Sequence, residues 1–153
     1  MYQTTSQNDL QNLLVQARTS PRLRKNLNLH QITDPVQRFF NALIPGTYVR
    51  PHRHNSPPKT ETMIVLSGKM LVVLFDEQGN IKEKIELSPQ GQRISIDLAP
   101  GVWHSVLAIE PCVFFECKQG PYTPITDKDF ASWAPEENTT ESIHYLEGLL
   151  QKT

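Results

Sequence analysis

Two histidines near the middle of the chain, His52 and His54, are separated by a single residue. Side chains alternate along a β-strand, so residues two apart project from the same face. Two imidazoles placed in this way can bind one metal ion. Glu61 follows a polar loop, residues 55–60, and this spacing is typical of a hairpin that returns the carboxylate to the two histidines. The sequence therefore predicts the beginning of a metal site.

A third histidine, His104, lies far downstream, directly after the turn at residues 99–101. It alternates with Val102 and Val106, so the face that it shares is otherwise apolar. Three neutral imidazoles and one carboxylate suit one divalent transition metal, such as zinc, iron, nickel or manganese, and leave coordination positions open. The alternatives are a metal-free acid–base pocket and core histidines satisfied by hydrogen bonds. The predicted metal ligands are His52, His54, Glu61 and His104.

Two polar residues precede the histidine pair. If the strand is regular, Tyr48 and Arg50 share the face of His52, where a phenol and a guanidinium would suit an anionic or hydroxylated small molecule. A bend at Pro51 would instead send Arg50 to the rim of the pocket. The catalytic residue itself is unknown from the sequence, and the candidates are Tyr48, Glu61 and His104.

Other charged residues give weaker indications. Glu116 alternates with Phe114 and Cys112, and a lone carboxylate among apolar neighbours suggests a pocket wall or a buried pair. It is a candidate for substrate binding, together with Arg50. A basic cluster is interpreted as solvated surface or as a lid over an acidic ligand; it consists of Arg22, Arg24 and Lys25. We expect a surface or hydrogen-bonding role for His30 and a surface or packing role for His144.

The elements that must position these residues are mainly β-strands. Eight short apolar segments are separated by turn signals rich in Pro and Gly, at a spacing of roughly 8–12 residues. No helical segment lies between them, so the pattern predicts an antiparallel sandwich or barrel and excludes a parallel sheet with crossover helices. The predicted strands are Val36–Ile44, Thr47–His54, Thr62–Leu66, Lys69–Phe75, Ile81–Leu87, Arg93–Leu98, Trp103–Ile109 and Cys112–Lys118.

Helices are predicted near both ends of the chain. Ser6 can cap a helix from residue 6 to residue 18, and a second helix covers about residues 140–151. Phe130 and Trp133 are the expected anchors of the segment before it. We expect one structural domain in three parts: a helix and an irregular basic loop (1–30), the β-barrel (31–120) and a C-terminal extension (121–153).

Composition excludes several classes of function. The 153 residues include 15 Lys and Arg against 16 Asp and Glu, a formal net charge of −1, which argues against a general nucleic-acid binder. The longest apolar run, Met70–Phe75, is far shorter than the roughly 20 residues of a membrane span. The N-terminus lacks the pattern of a secretory signal. Cys112 and Cys117 would point to opposite faces of a strand and are therefore poorly placed for a mutual disulfide. Cysteines without a disulfide are typical of a reducing compartment, so we predict a cytoplasmic protein.

These residues also resemble the cupin motifs. The first motif has the form G-x5-H-x-H-x3-4-E-x6-G, and every fixed position is present, with six residues between His54 and Glu61 in place of three or four. The second motif, G-x5-P-x-G-x2-H-x3-N, is matched at Gly101 and His104. Its proline position is Ala99 and its final position is Ala108, so only the histidine is carried over.

More narrowly, the chain resembles the WbuC family of cupin-fold metalloproteins over about residues 20–135. The resemblance implies a mainly β, single RmlC-like jelly-roll barrel with short terminal helices, a bound metal, and pairing into a homodimer. The family is named after O-antigen polysaccharide gene clusters. The segments that carry the resemblance are Ser20-Pro21-Arg22-Leu23-Arg24, Asn28-Leu29-His30, Asp34-Pro35-Val36-Gln37-Arg38, residues 45–54, Phe75-Asp76, Trp103-His104, Gly120-Pro121-Tyr122, and Asp127-Lys128 through Phe130 to Trp133-Ala134-Pro135.

Three functions are compatible with these features. The first is a metal-dependent enzyme that isomerises, epimerises or oxygenates a sugar or a related polar or anionic metabolite. The second is a cupin that binds a metal or metabolite without turnover, since a fold does not determine a function. The third is a metal-free, epimerase-like cupin in which Tyr48 and His104 do acid–base work. In each case the partner is a small molecule, with no nucleic acid and no membrane.

Overall fold

The computed structural model describes residues 1–126 and 129–151 of the chain. Within these ranges the fold is mainly β, with one helix before the strands and one after them. Asp127 and Lys128, which are part of the resemblance noted above, lie outside the described residues, as do residues 152–153. The elements are α1 (Gln7–Thr19), β1 (Arg24–Asn28), β2 (Val36–Leu43), β3 (Glu61–Phe75), β4 (Ile81–Leu87), β5 (Ser95–Leu98), β6 (Trp103–Gln119) and α2 (Thr140–Leu150).

The sheet is antiparallel and is built around two long strands, β3 and β6. Its order is β1-β2-β6-β3-β4, and β5 pairs with β3 beside this path. The first part of β3 pairs with β5 and with the end of β6, whereas its last part pairs with β4 and with the start of β6. The register shifts between Val65 and Met70, where the second partner of β3 changes from β5 to β4. Beyond this point β6 also pairs with β2. The two long strands therefore belong to both halves of the barrel.

Several predicted strands differ from the observed ones. The pairs 62–66 with 69–75 and 103–109 with 112–118 each form one continuous strand. The turn signals at Gly68 and Pro111 lie against each other, and together they bend the paired strands without reversing the chain. The expected strand 47–54 is irregular except for a bridge at His52. The stretch expected to be an irregular loop contains β1, which pairs with β2.

Alternate residues of β3 pack on opposite sides of the sheet. Met70 and Val72 belong to the barrel interior. Leu71 and Val73 face the other way, into a second cluster with Leu146 of α2. Because both faces of this stretch are buried, its sequence is continuously apolar. The single apolar run noted in the sequence is thus the wall between two cores.

The two helices cover the sheet. Helix α1 begins at a capping box formed by Ser6 and Asp9, as its sequence predicts, and its buried residues pack against Ala42 and Val113. Helix α2 is capped by Thr139 and also agrees with its prediction. The division of the chain at residues 30 and 120 stays a prediction. No helix among the described residues is long and apolar enough to cross a membrane.

The segment before α2 fastens the chain that follows His52. The buried carboxylate of Asp129 accepts hydrogen bonds from the backbone N–H groups of Asn55 (3.1 Å) and Ser56 (2.8 Å) and from Nε of Arg53 (3.4 Å). The N–H of Arg53 also donates to the carbonyl of Asp129. Trp133 packs on Phe75 and Trp103, in agreement with its predicted role as an anchor.

Replacing Gly68 by alanine should destabilise the fold strongly. Gly68 has φ +71°, and an added Cβ would lie 2.0 Å from the carbonyl oxygen of Pro111. The left-handed conformation and the backbone clash together predict a loss of about 2 kcal/mol or more in the free energy of unfolding. Gly148→Ala is the control, because the space around this helical glycine is open. It should stabilise the protein by roughly 0.5–1 kcal/mol. Equal effects of the two variants in urea unfolding would contradict this account of the bend.

Asp129→Ala should loosen the segment that follows His52. Two buried backbone N–H groups lose their acceptor, so we expect a loss of about 1–3 kcal/mol in urea unfolding. Glu83→Ala is the control, because Glu83 is exposed on β4 and its side chain makes no hydrogen bond or ion pair among the described residues, so its effect should stay within about 0.5 kcal/mol. Amide exchange at Asn55 and Ser56 should accelerate in the Asp129 variant alone. Unchanged exchange there would show that Asp129 does not hold this segment.

Candidate metal centre

Four predicted ligands meet inside the barrel. One ligand atom from each of His52, His54, Glu61 and His104 lies within 4.8 Å of every other. The imidazole centroids are 4.5 Å apart for His52 and His104, 5.1 Å for His52 and His54, and 5.9 Å for His54 and His104. This is the only such group of three or more His, Cys, Asp or Glu residues in the described ranges.

Backbone hydrogen bonds bring these side chains together. His52 and His104 form an antiparallel bridge in which each N–H donates to the other's carbonyl at 2.9 Å. The six-residue loop after His54 closes on itself, since the N–H of Lys59 donates to the carbonyl of His54. The loop is longer than the motif requires, but this closure still returns Glu61 to the histidines.

The histidine tautomers are set by backbone carbonyls. Nδ1 of His52 lies 2.9 Å from the carbonyl oxygen of Arg50, and Nδ1 of His104 lies 3.0 Å from that of Val102. A carbonyl oxygen only accepts, so each Nδ1 carries the proton and each Nε2 presents its lone pair. Carbonyl partners of this kind orient metal-binding imidazoles in proteins. Burial and the neighbouring His104 also lower the pKa of His52 well below its usual value, which keeps that ring neutral.

Two buried atoms of the cluster have no hydrogen-bond partner among the described residues. They are Nε2 of His54 and Oε2 of Glu61, which lie 3.5 Å apart. Oε2 of Glu61 also lies 3.0 Å from Nε2 of His104. Burying unpaired polar atoms costs free energy. A cation bound among these atoms would remove this penalty, so the residues fit a metal ion.

A second carboxylate and a lysine flank Glu61. Nζ of Lys118 lies 3.2 Å from Oε1 of Glu61 and 2.8 Å from Oε1 of Glu116, and Nδ2 of Asn41 donates to Oε2 of Glu116 at 2.8 Å. Burial and the adjacent charge of Glu61 raise the pKa of Glu116 well above its usual value. Burial opposes ionisation of Glu61, but Glu116 and Lys118 hold its pKa well below the usual value. Glu61 is therefore the ionised member of the pair.

A cavity of about 680 Å³ extends from the cluster to the surface. Its walls come from the inward faces of β2, β3 and β6, and residues of β1 and the segment before it form its rim. Ligand sites in proteins commonly have volumes of this size. The cluster lies in this cavity together with Glu116, as the sequence suggested for a pocket wall.

The structure does not bring Tyr48 and Arg50 to the cluster. The hydroxyl of Tyr48 donates to the carbonyl of Pro135 at 2.8 Å, and its ring belongs to the core under α2. Nη2 of Arg50 donates to the carbonyl of Ala131 at 2.9 Å, and the guanidinium lies over Phe130. Neither residue lines the cavity. The prediction for these two residues assumed a regular strand, but the chain is irregular from residue 47 to residue 51.

The basic cluster lies at the mouth of the cavity. Arg22 and Arg24 pair with Glu137 at 3.1 Å and 2.6 Å, and the exposed Lys25 lies beside them. The arginines are thus held by a carboxylate of the chain itself. The other two histidines are not part of the cluster. His30 lines the cavity and pairs with the backbone of Arg38, whereas His144 is exposed on α2.

Sequence reasoning missed four residues around the site. Lys118 follows Glu116 by two positions, so alternation could have placed it on the same face. Gln37 and Asn41 flank Phe39 in the same alternating way on β2. Nothing local in the sequence indicates Asp129, because its partners are more than 70 residues away.

Solved structures share this fold. KdgF from Halomonas sp. matches with a TM-score of 0.53 and 19% identity, over 69% of this chain and 85% of that chain. A cupin superfamily protein from Desulfitobacterium hafniense DCB-2 matches with a TM-score of 0.50 and 17% identity, over 63% and 76%. Oxalate oxidase in complex with the substrate analogue glycolate gives 0.54 and 15%, over 71% and 56%. The predicted cupin jelly-roll fold is therefore confirmed.

Comparison of the sequence with family models assigns the chain to a family. A search of curated proteins found no match. A family model described as a domain of unknown function, DUF6016, matches residues 5–87, which is more than half of the chain. The matched region includes α1, the histidine pair, Glu61 and the whole of β3. The chain belongs to the DUF6016 family.

Proposed function

We propose that the protein is a metal-dependent enzyme that acts on a small polar or anionic molecule. The observation that carries the proposal is the pair of buried atoms without partners, Nε2 of His54 and Oε2 of Glu61, among three convergent imidazoles. A protein that did not bind a cation here would leave these atoms unsatisfied at a cost in stability. Zinc, iron, nickel and manganese all accept such a ligand set.

The residues of the site would have different roles. His52, His54, Glu61 and His104 would hold the ion, which when bound polarises a substrate oxygen or lowers the pKa of a bound water. The carbonyls of Arg50 and Val102 fix two of the imidazoles, and Lys118 orients Glu61. The surrounding cavity is large enough for a small molecule.

Structures with the same fold support enzymatic chemistry. They include oxalate oxidase bound to glycolate and oxalate decarboxylase. The reaction class that we propose is isomerisation, epimerisation or oxygenation. Metal-loaded protein incubated with sugars, sugar acids and small hydroxy acids should form a product detected by NMR, and the same protein treated with a chelator should not. A ligand that raises the melting temperature without any product after long incubation would instead identify a binding protein.

The resemblance to the WbuC family extends the proposal. It supports a substrate that is a sugar or sugar derivative and a link to polysaccharide (O-antigen) biosynthesis. The wider cupin resemblance also supports a homodimer, and the two free cysteines support a cytoplasmic location. Light scattering on the purified protein would check the homodimer directly, because a dimer has twice the mass of the chain.

Protein purified without a histidine tag should contain about one divalent metal ion per chain. His52→Ala removes one ligand and should weaken metal binding more than about 100-fold, since loss of an outer-shell partner alone typically costs 10–100-fold. Metal analysis and isothermal titration check this. A chelator should also lower the melting temperature of the wild type, because a ligand that binds only the folded state stabilises it.

The matched control is His144→Ala, since His144 is exposed on α2 and lies outside the cluster. Its metal content and melting temperature should equal those of the wild type. Metal-free wild-type protein with no affinity for any of the four ions would refute the proposed function. So would a His52→Ala variant with normal metal content.

A further inference from the structure

Gln37 is a buried polar residue with an unused hydrogen-bond donor. Its side chain is only 2% exposed, and among the described residues nothing accepts a hydrogen bond from its Nε2. It lies on β2 in the row of inward-facing residues that includes Phe39 and Asn41. It also lines the cavity that contains the four candidate metal ligands. The cost of burying an unpaired amide is recovered when a ligand supplies the acceptor.

The strand register places Gln37 in one row of side chains with Glu61, two strands away. Gln37 pairs with Lys118 across β2 and β6, and Lys118 pairs with Glu61 across β6 and β3. Directly opposed residues point to the same face of a sheet, so these three side chains form one row across the cavity wall. Two strand spacings separate the Cα atoms of Gln37 and Glu61 by about 10 Å. A small molecule can therefore reach both ends of the row.

The charge of the cavity wall favours an anion. Among the described residues that line it, four are cationic and two are acidic. Glu137 neutralises part of the arginine charge at the mouth, yet a positive excess remains even without a metal. The cationic residues are Arg22, Arg24, Lys25 and Lys118, and the acidic ones are Glu61 and Glu116.

We propose that Gln37 is a substrate-binding residue whose Nε2 donates a hydrogen bond to a carboxylate of a small anionic substrate. The opposite end of that substrate, a hydroxyl or a second carboxylate, faces the metal cluster. The inference rests on the proposed metal-dependent function and narrows its substrate class to carboxylates. Gln37 thus selects a substrate with an acceptor oxygen at a fixed distance from the candidate ligands, and the cationic residues of the wall favour a negative charge on it.

Gln37→Leu separates this role from a structural one. Leucine fills a similar space and removes the unpaired donor, so the melting temperature should be unchanged or raised. Affinity for nickel should also be unchanged, because Gln37 is not in the cluster. The matched control is Gln11→Leu, since Gln11 is exposed on α1. A clear loss of stability in the Gln37 variant alone would overturn the proposal by showing that Gln37 is structural.

The binding experiment uses two probes of equal carbon length, tartrate and the neutral polyol threitol. Each is titrated into untagged, nickel-loaded protein by calorimetry. We expect the wild type and Gln11→Leu to bind tartrate, and Gln37→Leu to bind it about 10- to 100-fold more weakly, since a hydrogen bond to a charged group is lost. Threitol should bind all three proteins weakly and equally.

The outcomes distinguish this inference from the proposed function. Equal tartrate affinity in wild type and Gln37→Leu, no tartrate binding to the wild type, or threitol binding as tight as that of tartrate would each overturn it. Titration of the metal-free protein with zinc, iron, nickel and manganese, without tartrate, tests the metal site. If none of the four ions bound, the proposed function would fail. Tartrate binding that still depended on Gln37 would nevertheless support the assignment of Gln37.

Discussion

The β3–β6 ladder bends back until its two ends meet, and the site depends on this closure. Glu61 lies at one end of the ladder, paired with Lys118, whereas His104 lies at the other end, paired with Leu74. In a straight ladder the two residues would be about 40 Å apart, at the usual rise per residue. In the folded chain their side chains are 3.0 Å apart. The bend at Gly68 and the closed barrel therefore create the cluster.

The sequence predicts whatever depends on local spacing. Strand alternation grouped His52 with His54, turn residues located most strand ends, and the capping residue Ser6 marked the start of α1. The sequence could not show that Gly68 and Pro111 bend a continuous pair of strands, because the same residue types occur where a chain bends and where it reverses direction. It also placed Tyr48 on the wrong side of the chain. The irregular backbone there depends on contacts with the distant segment around Ala131 and Pro135.

The two faces of the barrel wall contact different parts of the protein. The inward face carries the ligands and the polar row at one end and an aliphatic core at the other. The outward face is covered by α2 and the segment before it, whose buried Asp129 also fastens the backbone after His52. The C-terminal segment thus supports the site from behind. Contacts that connect the two sides of the wall set the orientation of the histidines.

The closed loop of β3 and β6 also has a kinetic consequence. The candidate ligands come from separate regions of the chain: His52, His54 and Glu61 are close in sequence, but His104 reaches them only when the barrel has closed. Closure requires contacts between residues far apart in sequence, which form slowly during folding. Partly folded chains would therefore lack the complete set of candidate ligands. An ion bound by these residues would be taken up in the last stage of folding and would then oppose reopening of the barrel.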